Sequence, residues 1–225
     1  NLVLHSRRLS HCSSLLEQVQ RLGVQAYAVE AELSDLDAVE DMMTRIDRTG
    51  TSLDIVFNNA GVQVAYRSAF LETPSEDYIK SFAINTIAPM RICYHVLPGM
   101  VDQGFGRIIN TTSGIALDPQ QAGYSASKAA LDKVTVDLGS KYDGTNVILS
   151  LADPGWCRTD LGGPNAPNPP ESALPGVLIG AFVDDRRSGR LFAAPHFSGM
   201  TLEHAVQQAE TSCVCLLYTS DAADD

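Results

Sequence analysis

The sequence is poor in basic residues and has no long apolar run. No stretch approaches the ~18–20 apolar residues that span a bilayer, and the first residues lack a signal-peptide pattern. Sixteen Lys and Arg stand against twenty-seven Asp and Glu in 225 residues, a formal net charge of −11. That balance argues against nonspecific attraction to nucleic acid or to anionic lipid. The five cysteines, at 12, 93, 157, 213 and 215, are odd in number and scattered, which does not read as a disulfide framework. The five histidines include no HExxH and no pair three or four apart, so no metal site is expected. A reducing, cytoplasmic setting fits this cysteine usage.

At 44% hydrophobic and 19% charged residues, the chain has an ordinary globular composition. Apolar residues recur at spacings of three and four over Leu15, Leu16, Val19 and Leu22, and again over Leu36, Val39, Met42, Met43 and Ile46, as in amphipathic helices. Short β-rich runs lie between helical stretches: Val24 to Val29, Leu53 to Phe57, Ile108 and Ile109 with their flanks, and Val147 to Leu151. Unbroken apolar strands alternating with helices indicate βαβ units, and therefore a parallel sheet covered on both faces. Ser34 and Ser75 are the expected N-caps. One long helix is expected from Ser75 to about Met100, and another from about Ser125 to Lys141.

Residues 162–175 (GGPNAPNPPESALP) hold five of the eleven prolines and are read as an irregular lid on the substrate side. The ends are abrupt. Asn1 to His5 reads as a strand entered without a preceding turn, which suggests a truncated start. The last residues, 215–225 (CLLYTSDAADD), resemble a translated sequencing adaptor and are set aside. The expected organisation is a single domain over 1–214 with a non-native tail.

The chemistry centres on Tyr124 and Lys128 in YSASK, four apart and therefore on one face of a helix. A phenol with an ordinary pKa near 10 is a poor proton carrier at neutral pH unless a cation stabilises its anion. Alone, such a pair arises by chance. Around it, in order, stand Asn58-Asn59-Ala60-Gly61 after an apolar strand, Asn85 in SFAINTIAP, GRIINTTS ending at Ser113, and Asp153-Pro154-Gly155-Trp156 followed by Thr159. This ordered set resembles the short-chain dehydrogenase/reductase family over about residues 1–195.

The resemblance implies an α/β, doubly wound parallel sheet with helices on both faces, of Rossmann type. It implies an oxidoreductase that interconverts a carbonyl and an alcohol. Tyr124 would be the proton donor or acceptor, and Lys128 would lower its pKa and bind the nicotinamide ribose. Ser113 would hold the substrate oxygen, and Asn85 would anchor a water in the proton relay. Asn59, Ala60 and Gly61 would border the adenosine, while Pro154, Gly155 and Thr159 would meet the nicotinamide. The implied partner is a small-molecule substrate, and a homo-oligomer (dimer or tetramer) is compatible with the family.

Cofactor choice follows from the end of the strand Asn1 to His5, which corresponds to the family's second strand. His5-Ser6-Arg7-Arg8 has no carboxylate for a ribose 2′-hydroxyl, whereas guanidinium groups match a 2′-phosphate. The expected cofactor is therefore NADP(H) rather than NAD, with Arg7 as main contact and Ser6 and Arg8 in support. The sequence also departs from the family. Its glycine-rich TGxxxGxG turn and first strand are missing. Glu32, in Ala31-Glu32-Leu33-Ser34, stands where an adenine-contacting Asp is usual, with Leu33 beside it. Ser113 and Tyr124 are 11 residues apart, slightly closer than is common. Two other readings stay open: a non-catalytic dinucleotide sensor on the same fold, and an inactive gene fragment.

Overall fold

A computed structural model describes residues 1–212. Cys213, Cys215 and the adaptor-like segment lie outside the described residues. The chain divides into two compact units, residues 1–52 and the part from Leu53 onward.

In the first unit, β1 (Leu2–Ser6) and β2 (Ala26–Glu30) pair in parallel, Leu2 beside Ala26 and Ser6 beside Glu30. Helix α1 (Ser13–Arg21) connects them, and α2 (Leu36–Arg48) follows β2. The apolar stripe of α2 behaves as its spacing predicts, with Val39, Met42, Met43 and Ile46 all buried. The cap does not. Asp35, rather than Ser34, opens α2, its carboxylate accepting the N–H groups of Asp37 at 3.0 Å and Ala38 at 3.2 Å. A charged acceptor meets the positive end of the helix better than a hydroxyl does.

The second unit carries a four-stranded parallel sheet ordered β3 (Ile55–Asn58), β4 (Gly106–Thr111), β5 (Val147–Asp153) and β6 (Arg190–Ala193). Strands β4 and β5 are buried almost throughout, which is why their sequences run apolar without alternation. Among the polar residues buried in these strands, Arg107 is 2% exposed. Its guanidinium donates to the carbonyls of Val183 and Asn146 and to the Asp184 carboxylate, so its donors are satisfied. Helix α6 (Leu202–Thr211) sets Ala205 and Ala209 into a core with Ile148, Ile179, Val183, Phe192 and Phe197.

The long helix expected after Ser75 is interrupted. It comprises α3 (Ser75–Phe82), a π turn over Ala83–Ile87 and α4 (Ala88–Gln103). Pro74 occupies the N-cap position and Ser75 is the first helical residue, so Ser75 does not cap. Helix α5 (Ala122–Gly139) begins three residues before the position expected and ends two residues earlier. Among the described residues, no helix is long and apolar enough to cross a membrane.

Candidate active site

The C-terminal ends of β3, β4 and β5 lie side by side, and the loops leaving them carry NNAG, TTS and DPG. Parallel α/β sheets place their ligand crevices at this edge. A buried polar chain links β3, β4 and α5. Asn58 Nδ2 donates to Asn110 Oδ1 at 2.8 Å, Asn110 Nδ2 to Thr135 Oγ1 at 2.8 Å, and Thr135 Oγ1 to the Leu131 carbonyl at 2.7 Å. Cys93 lies against Asn58 and Asn110, and burial pushes its thiol up to about 12, so it packs as an inert group. The first Asn of NNAG is thus structural. The second, Asn59, is exposed and accepts from the Thr111 hydroxyl at 3.2 Å.

Asn85 sits at the middle of the π turn and is fully buried. Its Oδ1 accepts the Val62 N–H at 2.8 Å, and its Nδ2 donates to the Val62 carbonyl at 2.8 Å and to Ser127 Oγ at 3.0 Å. The side chain is therefore a brace for the segment after Gly61. Both its donors are committed to protein, so the expected water has no amide N–H to hold it. The Ser127 hydroxyl passes the link on to the Tyr124 carbonyl at 2.7 Å. Ser127 is not among the residues that the sequence motifs mark, although its position three residues after Tyr124 puts it on the same side of α5.

Tyr124, Lys128 and Ser113 come together here. Tyr124 and Lys128 are buried on α5, and the Ser113 hydroxyl lies beside the phenol. Burial raises the Tyr124 pKa, the Ser113 hydroxyl opposes that, and the Asp153 carboxylate adds to it. Lys128 makes no hydrogen bond to the phenol. Its Nζ donates instead to the Thr111 carbonyl at 2.6 Å. Burial lowers the Lys128 pKa to about 8, with Asp132 one turn along the helix pulling it back up. Desolvation of the ring outweighs the Ser113 hydroxyl, so the net shift of the phenol is upward. Gly61 completes the cluster. A Cβ there would lie 3.3 Å from Asn85 Oδ1, a tight approach, and 3.6 Å from Lys128 Nζ, an ordinary contact.

Gly155 takes a φ of +73°, and its N–H is held by Asp153 Oδ1 at 2.9 Å, which turns the chain sharply after Pro154. The Thr159 hydroxyl accepts the Gly162 N–H at 3.0 Å and so belongs to its own turn. The proline-rich segment is tied down rather than free. Trp156 Nε1 donates to the Gly162 carbonyl at 2.8 Å, and Arg158 donates to the carbonyls of Ala166 and Pro167. Residues Pro170–Ala173 form a short 3-10 helix, a regular element within a stretch expected to have none.

In the first unit, Arg7 and Arg8 are exposed, and Ser6 Oγ lies 3.2 Å from His11 Nδ1. A carboxylate that sequence reading missed stands at this edge. Glu30, paired with Ser6 across the two strands, accepts the Leu9 N–H at 3.1 Å. Glu32 is exposed and accepts the Ser34 N–H at 3.2 Å, stabilising the turn into α2, and Leu33 is buried in the core. Among the described residues, no cluster of His, Cys, Asp and Glu could hold a metal ion.

Residues 1–169 match the family described as short chain dehydrogenase, three quarters of the chain. The chain belongs to this family of oxidoreductases. It is 30% identical over 146 residues to C-signal of Myxococcus xanthus, covering 62% of this chain and 87% of that protein. It is 28% identical over 148 residues to acetoacetyl-CoA reductase of Cupriavidus necator, covering 65% of this chain and 59% of that one. Among solved structures it resembles the landomycin C-6 ketoreductase LanV with bound NADP and rabelomycin. That match has a TM-score of 0.72 at 27% identity and covers 89% of this chain and 85% of the other. Several other curated relatives are spanned over only 50–59% of their length.

Proposed function

We propose that the chain is an NADP(H)-dependent oxidoreductase that interconverts a carbonyl and an alcohol, with Tyr124 as proton donor in reduction and acceptor in oxidation. The observation that carries this reading is the convergence of Tyr124, Ser113, Lys128 and Asn85 at one end of the parallel sheet. The residues present suit a dinucleotide. Lys128 spends one of its three N–H groups on the Thr111 carbonyl, and Gly61 leaves open the space beside its ammonium. The nicotinamide cofactor supplies the hydride when bound.

Lys128 would hold the nicotinamide ribose, with Asn59, Ala60 and Gly61 along the adenosine side. Pro154, Gly155 and Thr159 would shape the nicotinamide end. Ser6, Arg7 and Arg8 would meet a 2′-phosphate, the group that a guanidinium fork fits. LanV, with its bound NADP, supports this preference. The Ser113 hydroxyl, beside the phenol, is positioned to donate to a substrate carbonyl oxygen as negative charge grows there. Tyr124, kept protonated at neutral pH by burial, then gives its proton to that oxygen.

The test is NADPH consumption across a panel of aldehydes, ketones and 3-oxoacyl thioesters, run beside Tyr124→Phe. Turnover by the wild type and a loss of about 10²–10⁴-fold in the variant, with NADPH binding retained, is the expected result. Undiminished turnover in Tyr124→Phe would refute the assigned proton donor. Binding of NADPH with no turnover on any substrate would favour the sensor reading.

A further inference from the structure

Asp132 takes no part in the chemistry described above, yet it stands directly behind it. It follows Lys128 by four residues on α5 and so shares its helix face. Its Oδ1 is buried without a hydrogen-bond partner, and so is Thr112 Oγ1. The Thr112 hydroxyl lies close enough to favour the ionised carboxylate, though outside hydrogen-bond geometry, and the Asp153 carboxylate faces it from the end of β5. A half-buried carboxyl with one oxygen shut away from water and unpartnered is costly to keep. Lys128 is in the complementary position: a buried ammonium whose hydrogen-bond acceptor is the neutral carbonyl of Thr111, with no direct ion pair.

We propose that Asp132 is a positioning residue for the Tyr124–Lys128 pair, its half-buried carboxylate supplying through space the countercharge that keeps the Lys128 ammonium charged and seated on the Thr111 carbonyl. The inference rests on the functional reading of Tyr124 and Lys128 given above. Other charges on the neighbouring elements do not fill this role. On α3, Asp77 is bound by Arg67 and Lys80 is exposed. On the outer face of α5, Lys133 and Asp137 pair with each other. On β4, Arg107 is engaged by Val183, Asn146 and Asp184. Asp153 carries the same sign as Asp132, but its Oδ1 is occupied by the Gly155 N–H.

The electrostatics agree with the geometry. Burial lifts Asp132 to about 6, which leaves it ionised at neutral pH, and its charge opposes the lowering of Lys128. In the reductive direction, an ammonium that loses its proton withdraws positive charge from beside the reacting oxygen. Activity should therefore fall on the alkaline side as Lys128 deprotonates, and Asp132 sets where that fall begins.

The experiment is an NMR titration of the protein labelled with [13C-ε]lysine. The chain has four lysines, at 80, 128, 133 and 141, and loss of one signal in Lys128→Arg assigns Lys128. The wild-type signal should titrate near pH 8, and Asp132→Asn should move the midpoint down by about half a pH unit. Asp132→Glu, which keeps the charge, should restore it. The alkaline limb of the NADPH turnover profile should shift in the same direction. An unmoved Lys128 midpoint in a folded Asp132→Asn protein overturns the inference, whatever happens to turnover. A moved midpoint in a protein that turns over no substrate upholds the coupling and counts against the oxidoreductase reading instead. Should Asp132→Asn fail to fold, Asp132→Ser makes the same test.

Discussion

The Lys128 ammonium is hydrogen-bonded to the carbonyl of Thr111, at 2.6 Å, rather than to the Tyr124 phenol four residues before it. Thr111 ends β4, and its own hydroxyl donates to Asn59 in the loop that leaves β3. One strand end therefore holds both the lysine and the exposed asparagine. The ammonium is thus anchored to the backbone at the end of β4.

The guanidinium groups after β1 give the first prediction. Arg7 and Arg8 are exposed, so neither contributes to the core, and Arg7→Ala should leave stability within about 0.5 kcal/mol of wild type. NADPH binding should weaken by about tenfold or more, in keeping with the loss of a charge-assisted contact of about 1.5–3 kcal/mol, while NADH binding stays nearly constant. Fluorescence titration with both cofactors measures this. NADH bound more tightly than NADPH, and unaffected by Arg7→Ala, would reverse the cofactor assignment and direct attention to Glu30 at the neighbouring strand end.

Much of the sheet was legible because buried parallel strands read as apolar runs: β4 and β5 lie within a residue or two of the runs around Ile108 and Val147. The N-caps were not, since Ser34 and Asp35 are adjacent candidates and only the backbone path decides which oxygen meets the free N–H groups. Nor could the π turn be anticipated, because Ala83–Ile87 keeps the helical pattern while inserting one extra residue per turn. Of the site, Tyr124, Lys128, Ser113 and Asn85 are visible as motifs. Ser127 and Asp132 are not: each is a small polar residue on a helix, and only the fold shows that Ser127 meets Asn85 and that Asp132 Oδ1 is shut away from water without a partner. The division of NNAG into a structural Asn58 and an exposed Asn59 likewise needed the neighbouring strand.

Asn85 ties three parts of the site together, so its removal should cost more than a surface change. Asn85→Ala leaves the Val62 N–H and carbonyl without their side-chain partners in a part-buried position. Unmet buried polar groups cost about 1–3 kcal/mol each, and urea unfolding should show a loss in that range. Amide exchange at Val62 should accelerate in the variant. Asn85→Asp keeps an acceptor for Val62 N–H but sets a carboxylate against the Val62 carbonyl, so it should rescue little. A variant as stable as wild type, with Val62 exchange unchanged, would rule out the bracing role.

The buried pair also imposes a pH dependence on stability. Asp132 rises from 3.8 to about 6 on folding, so the folded state holds that proton more tightly than the unfolded chain does. Its contribution is most favourable below about pH 4 and is lost as pH rises through 6. Lys128 falls from 10.5 to about 8, so the penalty for burying its charge is fully present below pH 8 and is relieved as pH rises toward 10.5. Comparing Asp132→Asn with wild type cancels the titration of the other carboxylates. Between pH 4 and 6, the stability difference should move steadily in favour of the variant, measured by urea unfolding at both ends of that range. A constant difference would mean that Asp132 has an ordinary pKa in the folded protein.

Gly123 sets two effects of opposite sign against each other. It lies in the first turn of α5, directly before Tyr124, and helix propensity alone predicts that Gly123→Ala stabilises, by up to about 1 kcal/mol. Packing predicts the reverse. A Cβ at Gly123 would lie 2.6 Å from the Asp77 carbonyl oxygen, 2.9 Å from its carbon and 3.0 Å from Tyr78 Cα. All three are backbone atoms of α3, which cannot swing aside as a side-chain tip can, and Asp77 is further held by Arg67 at 2.8 Å. Overpacking of this kind costs about 1–3 kcal/mol, so the variant should be less stable than wild type. Because α3 must move away from α5 next to the phenol, turnover should fall as well. A more stable Gly123→Ala protein would mean that the close approach of α3 to α5 at this point is not a feature of the folded chain.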